Sequence, residues 1–492
     1  MPTDSPARDA ALAMAPARFR EIGHALVDRI AALMAELPGR PVTHGETPAE
    51  VRALLGDDPL PLTGADPAAL LDAAASLLFD HSLLSSHPRF HGYIAASPAP
   101  IGVLAELLAA ALNTNVALWH AAPVASEIEV QTVRWLAELV GYPAGCGGLL
   151  VSGGNLANLV ALLAARRARL PGVREHGLQQ ARLAVYASAQ THGWLDKAVD
   201  IAGLGLQAVR WIPTDTGQRL DVNALAARIE ADVAAGVQPL MAIGTAGTVS
   251  TGAIDPLPAM AALCRQLGLW FHVDGAYGAP AACLPDAPPE LLGLREADSL
   301  ALDPHKWLYA PIEAGCVLVR EPRHLLDAFS QRPPYYGAPG GNEGTNFHEL
   351  GPQNTRGFRA LKVWLALRMA GRDGYRQMIG DDIALARRLH ARVQATPRLE
   401  AGPGGLSIAT LRYVPDAPQA RDEAALDALN RRLLERLQHD GRAWLSPAVV
   451  DGRFWLRACI VNFRTGAEQV DALPALVVEL GDALGAAGCS GT

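Results

Sequence analysis

The stretch Ser299-Leu300-Ala301-Leu302-Asp303-Pro304-His305-Lys306-Trp307 decides the fold of this chain. Its first four residues are typical of a short buried strand, and Asp303-Pro304 ends that strand. A lysine at a strand exit, behind a histidine and before a tryptophan, can hold its amine in a semi-apolar cleft, where desolvation lowers the pKa of that amine. We therefore expect Lys306 to be a neutral nucleophile that forms a Schiff base with an aldehyde. A surface lysine after a strand is the alternative for Lys306 taken alone.

A second polar residue follows the apolar run Leu269-Trp270-Phe271-His272-Val273, which is typical of a buried parallel strand. Asp274 is that residue, and the ends of parallel strands form the crevice where α/β sheets bind ligands. A carboxylate there can pair with the pyridine nitrogen of pyridoxal phosphate (PLP) and keep the ring protonated as an electron sink. Ala276 is small, as a residue beneath a flat ring should be. Helix capping is the alternative role for Asp274.

A glycine turn, Val151-Ser152-Gly153-Gly154-Asn155, opens an amphipathic helix. Backbone N–H groups at such a helix start bind phosphate, and Ser152 and Asn155 can cap the helix or bond the phosphate directly. The turn is not a Walker loop, because no Gly-Lys-Ser/Thr follows it. His192 comes after another predicted strand and could stack on a cofactor ring; a hydrogen-bonded core histidine is the alternative.

Strand and helix patterns alternate from about residue 101 to about residue 385. This alternation implies a mostly parallel sheet with helices on both faces. The predicted strands lie near residues 184–188, 208–212, 239–244, 269–273, 299–302 and 315–319. Before this region, helical patterns at about 16–36 and 67–84 form an arm with too little core to fold alone. After it, strands near 405–413 and 454–462 and helices near 421–438 and 467–485 predict a smaller α/β unit.

In order and spacing, the sequence resembles the group II PLP-dependent amino-acid decarboxylases, the family of aromatic-amino-acid, histidine and glutamate decarboxylases. The resemblance extends from about residue 80 to about residue 465. Residues 299–307 are similar to the family's lysine signature. The other matching segments are His87-Pro88-Arg89-Phe90, Ala125-Ser126-Glu127-Ile128-Glu129, the glycine turn, His192, Gly247-Thr248, Asp274 and Arg356-Gly357-Phe358-Arg359-Ala360-Leu361-Lys362.

The resemblance implies the fold type I of PLP-dependent transferases, an α/β fold with a mostly parallel seven-stranded sheet and helices on both faces. It divides the chain into an N-terminal helical arm (1–100), a large PLP-binding domain (101–385) and a small C-terminal α/β domain (386–492). The arm is expected to pack on a second subunit of a homodimer.

The resemblance also implies a role for each matching site residue. Lys306 would carry PLP, Asp274 would bind the pyridine nitrogen, and His192 would stack on the ring and help to protonate the product. The other implied cofactor contacts are Gly154, Asn155, Thr248, Ala276, Asp303 and His305. The implied substrate contacts are Tyr93, Ile94, Ala96, Trp119 and Arg457.

The implied reaction is decarboxylation of an L-amino acid to the amine and CO₂. Tyr93 fits an aromatic side chain, and no clear basic cluster would hold a glutamate side chain, so aromatic substrates are expected ahead of aliphatic ones. An aminotransferase is an alternative, since such enzymes usually hold the substrate carboxylate with an arginine and Arg457 is present. A catalytically silent PLP-binding or regulatory protein is the other, although Lys306, Asp274 and His192 are all present.

The proton donor departs from the family pattern. An ungapped alignment puts Phe347 where aromatic-amino-acid decarboxylases have a tyrosine on a mobile loop, and phenylalanine cannot donate a proton. In family members with this exchange, oxygen reacts instead and the product is an aldehyde, with ammonia and hydrogen peroxide. His348 is an adjacent candidate donor. A loop misaligned by a few residues is the alternative, since Tyr335 and Tyr336 precede the glycine-rich run 337–344.

The amino-acid composition limits the kinds of molecule that this protein is expected to bind. The 492 residues are 50% hydrophobic and 19% charged, with a net charge of −8, so a nucleic-acid partner is not favoured. The six cysteines lie apart with no zinc spacing, which predicts reduced cytosolic thiols and no metal site. There is no signal-peptide pattern, and the longest apolar stretch, 101–112, is broken by Glu106. We expect a cytoplasmic enzyme that acts on a small molecule and has no membrane partner.

Overall fold

The computed structural model of this chain describes residues 10–331, 344–416 and 422–489. Its strands are β1 (Gly147–Val151), β2 (Leu183–Ser188), β3 (Val209–Ile212), β4 (Gln238–Thr245), β5 (Trp270–Asp274), β6 (Ser299–Leu302), β7 (Gly315–Val319), β8 (Leu399–Ala401), β9 (Ile408–Tyr413), β10 (Ser446–Val450) and β11 (Arg453–Cys459). Its α-helices are α1 (Pro16–Glu36), α2 (Pro48–Leu55), α3 (Pro67–His81), α4 (Pro100–Leu112), α5 (Pro123–Leu139), α6 (Gly154–Arg169), α7 (Val173–His176), α8 (Trp194–Ile201), α9 (Val222–Ala234), α10 (Leu257–Leu267), α11 (Arg323–Phe329), α12 (Ala360–Gln394), α13 (Glu423–Asp440) and α14 (Ala467–Cys489).

The central sheet has seven strands in the order β1-β7-β6-β5-β4-β2-β3. The last five run parallel to one another, whereas β7 is antiparallel to both β6 and β1. Strands such as β2 and β5 are buried along their whole length, which explains their nearly continuous apolar sequence. The expected type I fold is confirmed, and the six strands predicted for this sheet lie within one residue of the observed bounds. The sequence analysis missed β1, which begins with two glycines, residues that are rare in strands.

The parallel strands bring their carboxyl ends to one edge of the sheet. Thr245 at the end of β4 pairs with Asp274 at the end of β5, and Asp274 pairs with Ala301 on β6. The turn that carries Lys306 therefore starts beside Asp274. At the other side of this edge, a Cβ on Gly315 would collide with the backbone of Gly153, so two glycines let the turn before α6 approach β7.

A second, antiparallel sheet in the order β10-β11-β9-β8 forms the smaller α/β unit with α13 and α14. Its core contains leucines from both helices and from β9 and β11. Helix α12 connects the two sheets and bends at Gly371, where φ is +63°. It continues through residue 385, so the domain limits at 100 and 385 stay predictions. Within the described ranges, the structure contains no helix that combines the length and the apolar character needed to cross a bilayer.

A buried carboxyl group on α12 anchors the residues that follow Lys306. Asp382 Oδ2 accepts hydrogen bonds from Trp307 Nε1 (2.9 Å) and from the Tyr309 hydroxyl (2.7 Å). Burial raises the pKa of Asp382 to about 7. An unfolded aspartate has a pKa of about 3.9, so between these values the folded state holds a proton that the unfolded state lacks. This group therefore makes the free energy of unfolding fall as pH rises through that window.

We predict that Asp382→Asn removes this contribution, because an amide oxygen can still accept both hydrogen bonds but does not titrate. Relative to the wild type, the variant should become more stable as pH is raised from 5 to 8. Urea unfolding of both proteins at the two pH values measures the difference. An equal stability difference at pH 5 and pH 8 would show that Asp382 does not titrate in this range.

Candidate active site

A cleft of about 350 Å³ lies at the carboxyl edge of the parallel strands. Residues from six strand ends and turns line it, and it brings together nine of the fourteen residues for which the family resemblance implies a role in binding or catalysis. The lining residues are Ile94, Ser152, Gly153, Gly154, Asn155, Asn158, His192, Trp194, Thr245, Gly247, Val249, Asp274, Ala276, Tyr277, Asp303, His305 and Lys306.

The Lys306 amine lies in this cleft at 2.9 Å from Asp303 Oδ2. Burial acts to lower the pKa of Lys306, but the carboxylates of Asp303 and Asp274 and the hydrogen bond to Asp303 outweigh it, so the pKa is raised. The sequence-based expectation of a lowered pKa was wrong, because burial could be inferred from the strand pattern whereas the facing carboxylates could not. The resting amine is an ammonium that must give up a proton before it attacks.

Asp274 ends β5 with its side chain almost fully buried, at 6% exposure. One oxygen, Oδ2, accepts from Trp194 Nε1 at 2.7 Å. The other, Oδ1, accepts from the backbone N–H of Ala276 at 3.1 Å. Both oxygens are thus held in place at the wall of the cleft, so the carboxylate presents a fixed negative charge to whatever occupies the cleft.

His192 lies at the mouth of the cleft, two residues before α8. Its Nδ1 accepts from the backbone N–H of Trp194 at 3.1 Å. Partial burial lowers the pKa of His192, against the opposing effect of Asp274. The ring is therefore neutral at neutral pH, with its proton on Nε2 as this hydrogen bond requires.

The start of α6 forms one end of the cleft. Gly153 precedes the helix with φ +122°, a conformation that favours glycine, and no side chain caps the first turn. A Cβ on Gly154 would lie 2.7 Å from Asp303 Oδ2, so this position has room only for glycine. The free N–H groups of a helix start attract an anion such as phosphate. His305 stands beside this turn, with Nδ1 hydrogen-bonded to the carbonyl of Ala314 at 2.7 Å.

Two predicted substrate contacts, Tyr93 and Ala96, do not line the cleft. Tyr93 is 56% exposed and packs against Trp444, with ring centroids 4.9 Å apart. Its neighbour Ile94 does line the cleft, because the chain turns at residues 93–94, where Tyr93 has φ +49°. Ala96 is half-buried and packs against the core of the large sheet.

Three further predicted contacts also lie outside the cleft lining. Thr248 is fully buried, and its hydroxyl contacts that of Thr251 at 3.0 Å, so it stabilises a turn. Trp119 lines a separate surface groove, where its Nε1 donates to Glu127 at 2.7 Å. Arg457 is buried and donates to the carbonyl of Val249, a lining residue, so it reaches the cleft only through that residue.

Phe347 and His348 are buried within this chain and do not line the cleft. Phe347 is 1% exposed, and the Arg356 guanidinium lies 4.7 Å from its ring centroid. Arg356 is held in turn by Glu129, at 2.5 Å. His348 Nδ1 contacts the carbonyl of Ala117 at 3.2 Å. Tyr335 and Tyr336, the other candidate donors, lie outside the described residues.

Several lining residues had no role in the sequence analysis, notably Trp194, Thr245, Asn158 and Tyr277. Thr245 could have been found, because it directly follows the strand predicted at 239–244, and the structure pairs it with Asp274. Asn158 lies one helical turn after Gly154 and so shares its face. Trp194 gave no signal beyond its place two residues after His192.

The family model for the pyridoxal-dependent decarboxylase conserved domain matches residues 50–402. The chain belongs to the pyridoxal-dependent decarboxylase family. This decarboxylase is 35% identical over 462 residues to an aromatic-L-amino-acid decarboxylase of Bacillus atrophaeus, covering 93% of this chain and 94% of that protein. It is 29% identical to the phenylacetaldehyde synthase of Petunia hybrida, covering 93% and 92%. Its fold matches the crystal structure of Oryza sativa TDC with PLP and tryptamine with a TM-score of 0.90, 29% identity and coverage of 97% and 100%.

The decarboxylase is a carboxy-lyase that uses PLP, and the cleft has groups that fit this cofactor. Asp303 Oδ1 and Thr245 Oγ1 are buried in the cleft wall and have no hydrogen-bond partner among the described residues. Such buried polar atoms indicate that a ligand completes the site. An amine, a buried carboxylate and an uncapped helix start together match an aldehyde, a pyridine nitrogen and a phosphate.

Proposed function

We propose that this enzyme decarboxylates aromatic L-amino acids to the corresponding amines and CO₂. The observation that carries the proposal is the cleft in which the Lys306 amine, the Asp274 carboxylate and the start of α6 converge. The names of the relatives support an aromatic substrate, since the Bacillus relative is an aromatic-L-amino-acid decarboxylase.

Bound PLP supplies an electron sink next to the α-carbon of the substrate. In our proposal Lys306 would hold the cofactor through its amine. Asp274, whose oxygens are fixed by Trp194 and Ala276, would keep a proton at the ring nitrogen. The N–H groups at the start of α6 would hold the phosphate, and the neutral His192 would offer Nε2–H to the cleft as a donor.

The lining of the cleft supports an apolar substrate side chain. Ile94, Val249 and Tyr277 contribute apolar surface. Among the described residues, no arginine lines the cleft, so an acidic side chain would meet no guanidinium there. This also disfavours an aminotransferase of the kind that clamps the substrate carboxylate, since Arg457 does not line the cleft and contacts it only through the carbonyl of Val249.

A panel of L-amino acids tests the substrate class. PLP-loaded enzyme is incubated in air with tryptophan, tyrosine, phenylalanine, dopa, leucine, histidine and glutamate, and amine, aldehyde and peroxide are quantified. We expect amine from the aromatic substrates with little peroxide, and at least about tenfold lower kcat/KM for the others. Equal turnover of glutamate would refute the aromatic assignment, and amino transfer to a keto acid without CO₂ would refute the reaction.

The product is proposed to be the amine rather than an aldehyde, and Phe347→Tyr tests the basis for this. Because the Phe347 ring is buried beneath Arg356, we expect the added hydroxyl to leave the ratio of amine to peroxide unchanged. Parallel quantification of both products in the wild type and the variant measures the effect. A rise in amine at the expense of peroxide would show that Phe347 reaches the reacting carbon and controls the product.

The contrasting variant is the double replacement Tyr335→Phe, Tyr336→Phe, which removes both remaining tyrosine candidates near that position in the sequence. If one of them donates the proton, peroxide and aldehyde should rise in this variant but not in Phe347→Tyr. An unchanged product ratio in both variants would move the donor to another group, with His192 as the first candidate.

We propose that the enzyme acts as a homodimer. In a single chain, large apolar side chains of the N-terminal arm are exposed, among them Phe19, Leu60 and Leu62. A further apolar groove of about 500 Å³ contains Trp119 and the exposed Val124. Surfaces of this kind are typical of protein interfaces. Sedimentation equilibrium tests this: a mass twice that of the 51.9 kDa chain is expected, and a monomer at working concentration would refute it.

We also propose a cytoplasmic location. The five cysteines whose side chains are described form no disulfide, and burial raises the pKa of several of these thiols. Fractionation of cells that produce the protein tests this location, and recovery in a secreted or membrane fraction would contradict it.

A further inference from the structure

Trp194 holds two functional groups of the cleft at once. Its indole N–H donates to Asp274 Oδ2 at 2.7 Å, and its backbone N–H donates to His192 Nδ1 at 3.1 Å. Trp194 is only 2% exposed and is the first residue of α8. A backbone N–H at the first turn of a helix has no partner within the helix, so His192 satisfies it and is itself oriented.

The Trp194 ring is fixed from behind by a second hydrogen-bonded chain. His272 lies two residues before Asp274 on the same face of β5 and meets the indole edge-on, with ring centroids 6.2 Å apart at 84°. His272 Nδ1 contacts Ser299 Oγ at 2.8 Å, and Nε2 contacts Asn158 Oδ1 at 2.7 Å. Burial lowers the pKa of His272 to about 4, so the ring is neutral and donates from Nε2 to the amide oxygen.

These contacts connect three parts of the site. Asn158 lies on α6, the helix whose start faces the phosphate end, and both Asn158 and Trp194 line the cleft. The Trp194 indole therefore lies between the hydrogen-bonded ring of His272 and the carboxylate of Asp274. A hydrogen bond from a fixed donor to a buried carboxylate favours one orientation and the charged form.

We propose that Trp194 is a positioning residue that orients the Asp274 carboxylate toward the cofactor ring nitrogen and sets the His192 tautomer. It acts through these two groups and not by contact with the substrate. This inference rests on the proposed function, since it requires Asp274 to face the cofactor. Without the indole N–H, Asp274 Oδ2 loses its described hydrogen bond, so the carboxylate can turn away and the cofactor should bind less tightly.

The test is Trp194→Phe, which keeps an aromatic ring and removes the N–H donor. Equilibrium dialysis of PLP-loaded protein measures cofactor affinity, and the visible absorption spectrum between pH 6 and 9 reports the protonation of the bound cofactor. We expect affinity to fall at least about tenfold, as for a lost hydrogen bond to a charged group, and the spectral transition to move in pH. The matched control is Trp364→Phe, because the part-buried Trp364 on α12 donates its N–H to Gln131 on α5, away from the cleft, and its loss should change neither readout.

A double-mutant cycle decides whether Trp194 acts through Asp274. In an Asp274→Asn background, Trp194→Phe should change PLP affinity by less than about twofold, because the charged partner is gone. The same loss in both backgrounds, or a Trp194→Phe result equal to that of Trp364→Phe, would overturn the inference. Wild-type protein that fails to bind PLP would instead refute the proposed function. If Trp194→Phe does not fold, Trp194→Met removes the same donor with a flexible side chain and undergoes the same cycle.

Discussion

Replacement of Lys306 by alanine is expected to reduce kcat/KM for amine formation by at least about 10³-fold, or about 4 kcal/mol of transition-state stabilisation. The reason is that the amine is the group in the cleft that can bond covalently to an aldehyde. The structure places it between Asp303 and Asp274, which hold it as an ammonium until the cofactor enters. The variant should also lose PLP on dialysis.

Borohydride reduction followed by peptide mass mapping measures the attachment directly. The sequence contains three lysines, Lys197, Lys306 and Lys362, so the result is unambiguous. Lys362 is buried in an ion pair with Glu106 at 2.7 Å, and Lys197 is exposed on α8, which makes Lys197→Ala the matched control. The wild type and the control should carry the reduced adduct on Lys306. An adduct on either other lysine, or full activity of Lys306→Ala, would disprove the assignment.

Asp274→Asn is expected to lower kcat by about 10²- to 10³-fold, the range typical for removal of one preorganised electrostatic contact. The amide is neutral, so in the proposed binding mode it would not stabilise a proton on the cofactor's ring nitrogen. It also has one acceptor oxygen, whereas Asp274 now accepts from both Trp194 and Ala276. We expect weaker PLP binding together with the loss of rate.

Asp200→Asn provides the control for charge, because Asp200 is exposed on α8 and does not line the cleft. Steady-state kinetics and PLP equilibrium dialysis compare the two variants, and thermal melting shows whether each is folded. A folded Asp274→Asn enzyme with nearly wild-type kcat would mean that the carboxylate has no part in the electron sink.

Local sequence patterns predicted most strands of the central sheet, because the burial of a strand directly determines which residues it can contain. The buried strands of the central sheet need apolar residues on both faces, so β2, β4, β5, β6 and β7 could be predicted from their apolar runs. Strand ends then placed Asp274 and Lys306 at one edge of a sheet. The C-terminal strands were less accurate: the prediction near 405–413 begins three residues before β9, because Leu406 and Ser407 form a turn between Gly405 and Ile408.

Contacts between distant segments could not be predicted in this way. The family resemblance implied that Thr248 contacts the cofactor, yet its hydroxyl is used within its own turn. Phe347 aligned with a proton donor, yet Arg356 and Glu129 hold its ring in the core. Alignment places a residue along the chain, whereas its partners decide which way the side chain points.

By itself, the sequence determined the mostly parallel sheet and the strand ends that carry Asp274 and Lys306, because strand periodicity and strand ends are local properties. Only the tertiary structure decided the charge state of Lys306 and the support of Asp274. The pKa of Lys306 depends on two carboxylates that converge from β5 and from the turn after β6. The Trp194 hydrogen bond joins residues 80 positions apart. The packing of the whole sheet brings these distant segments of the chain into contact.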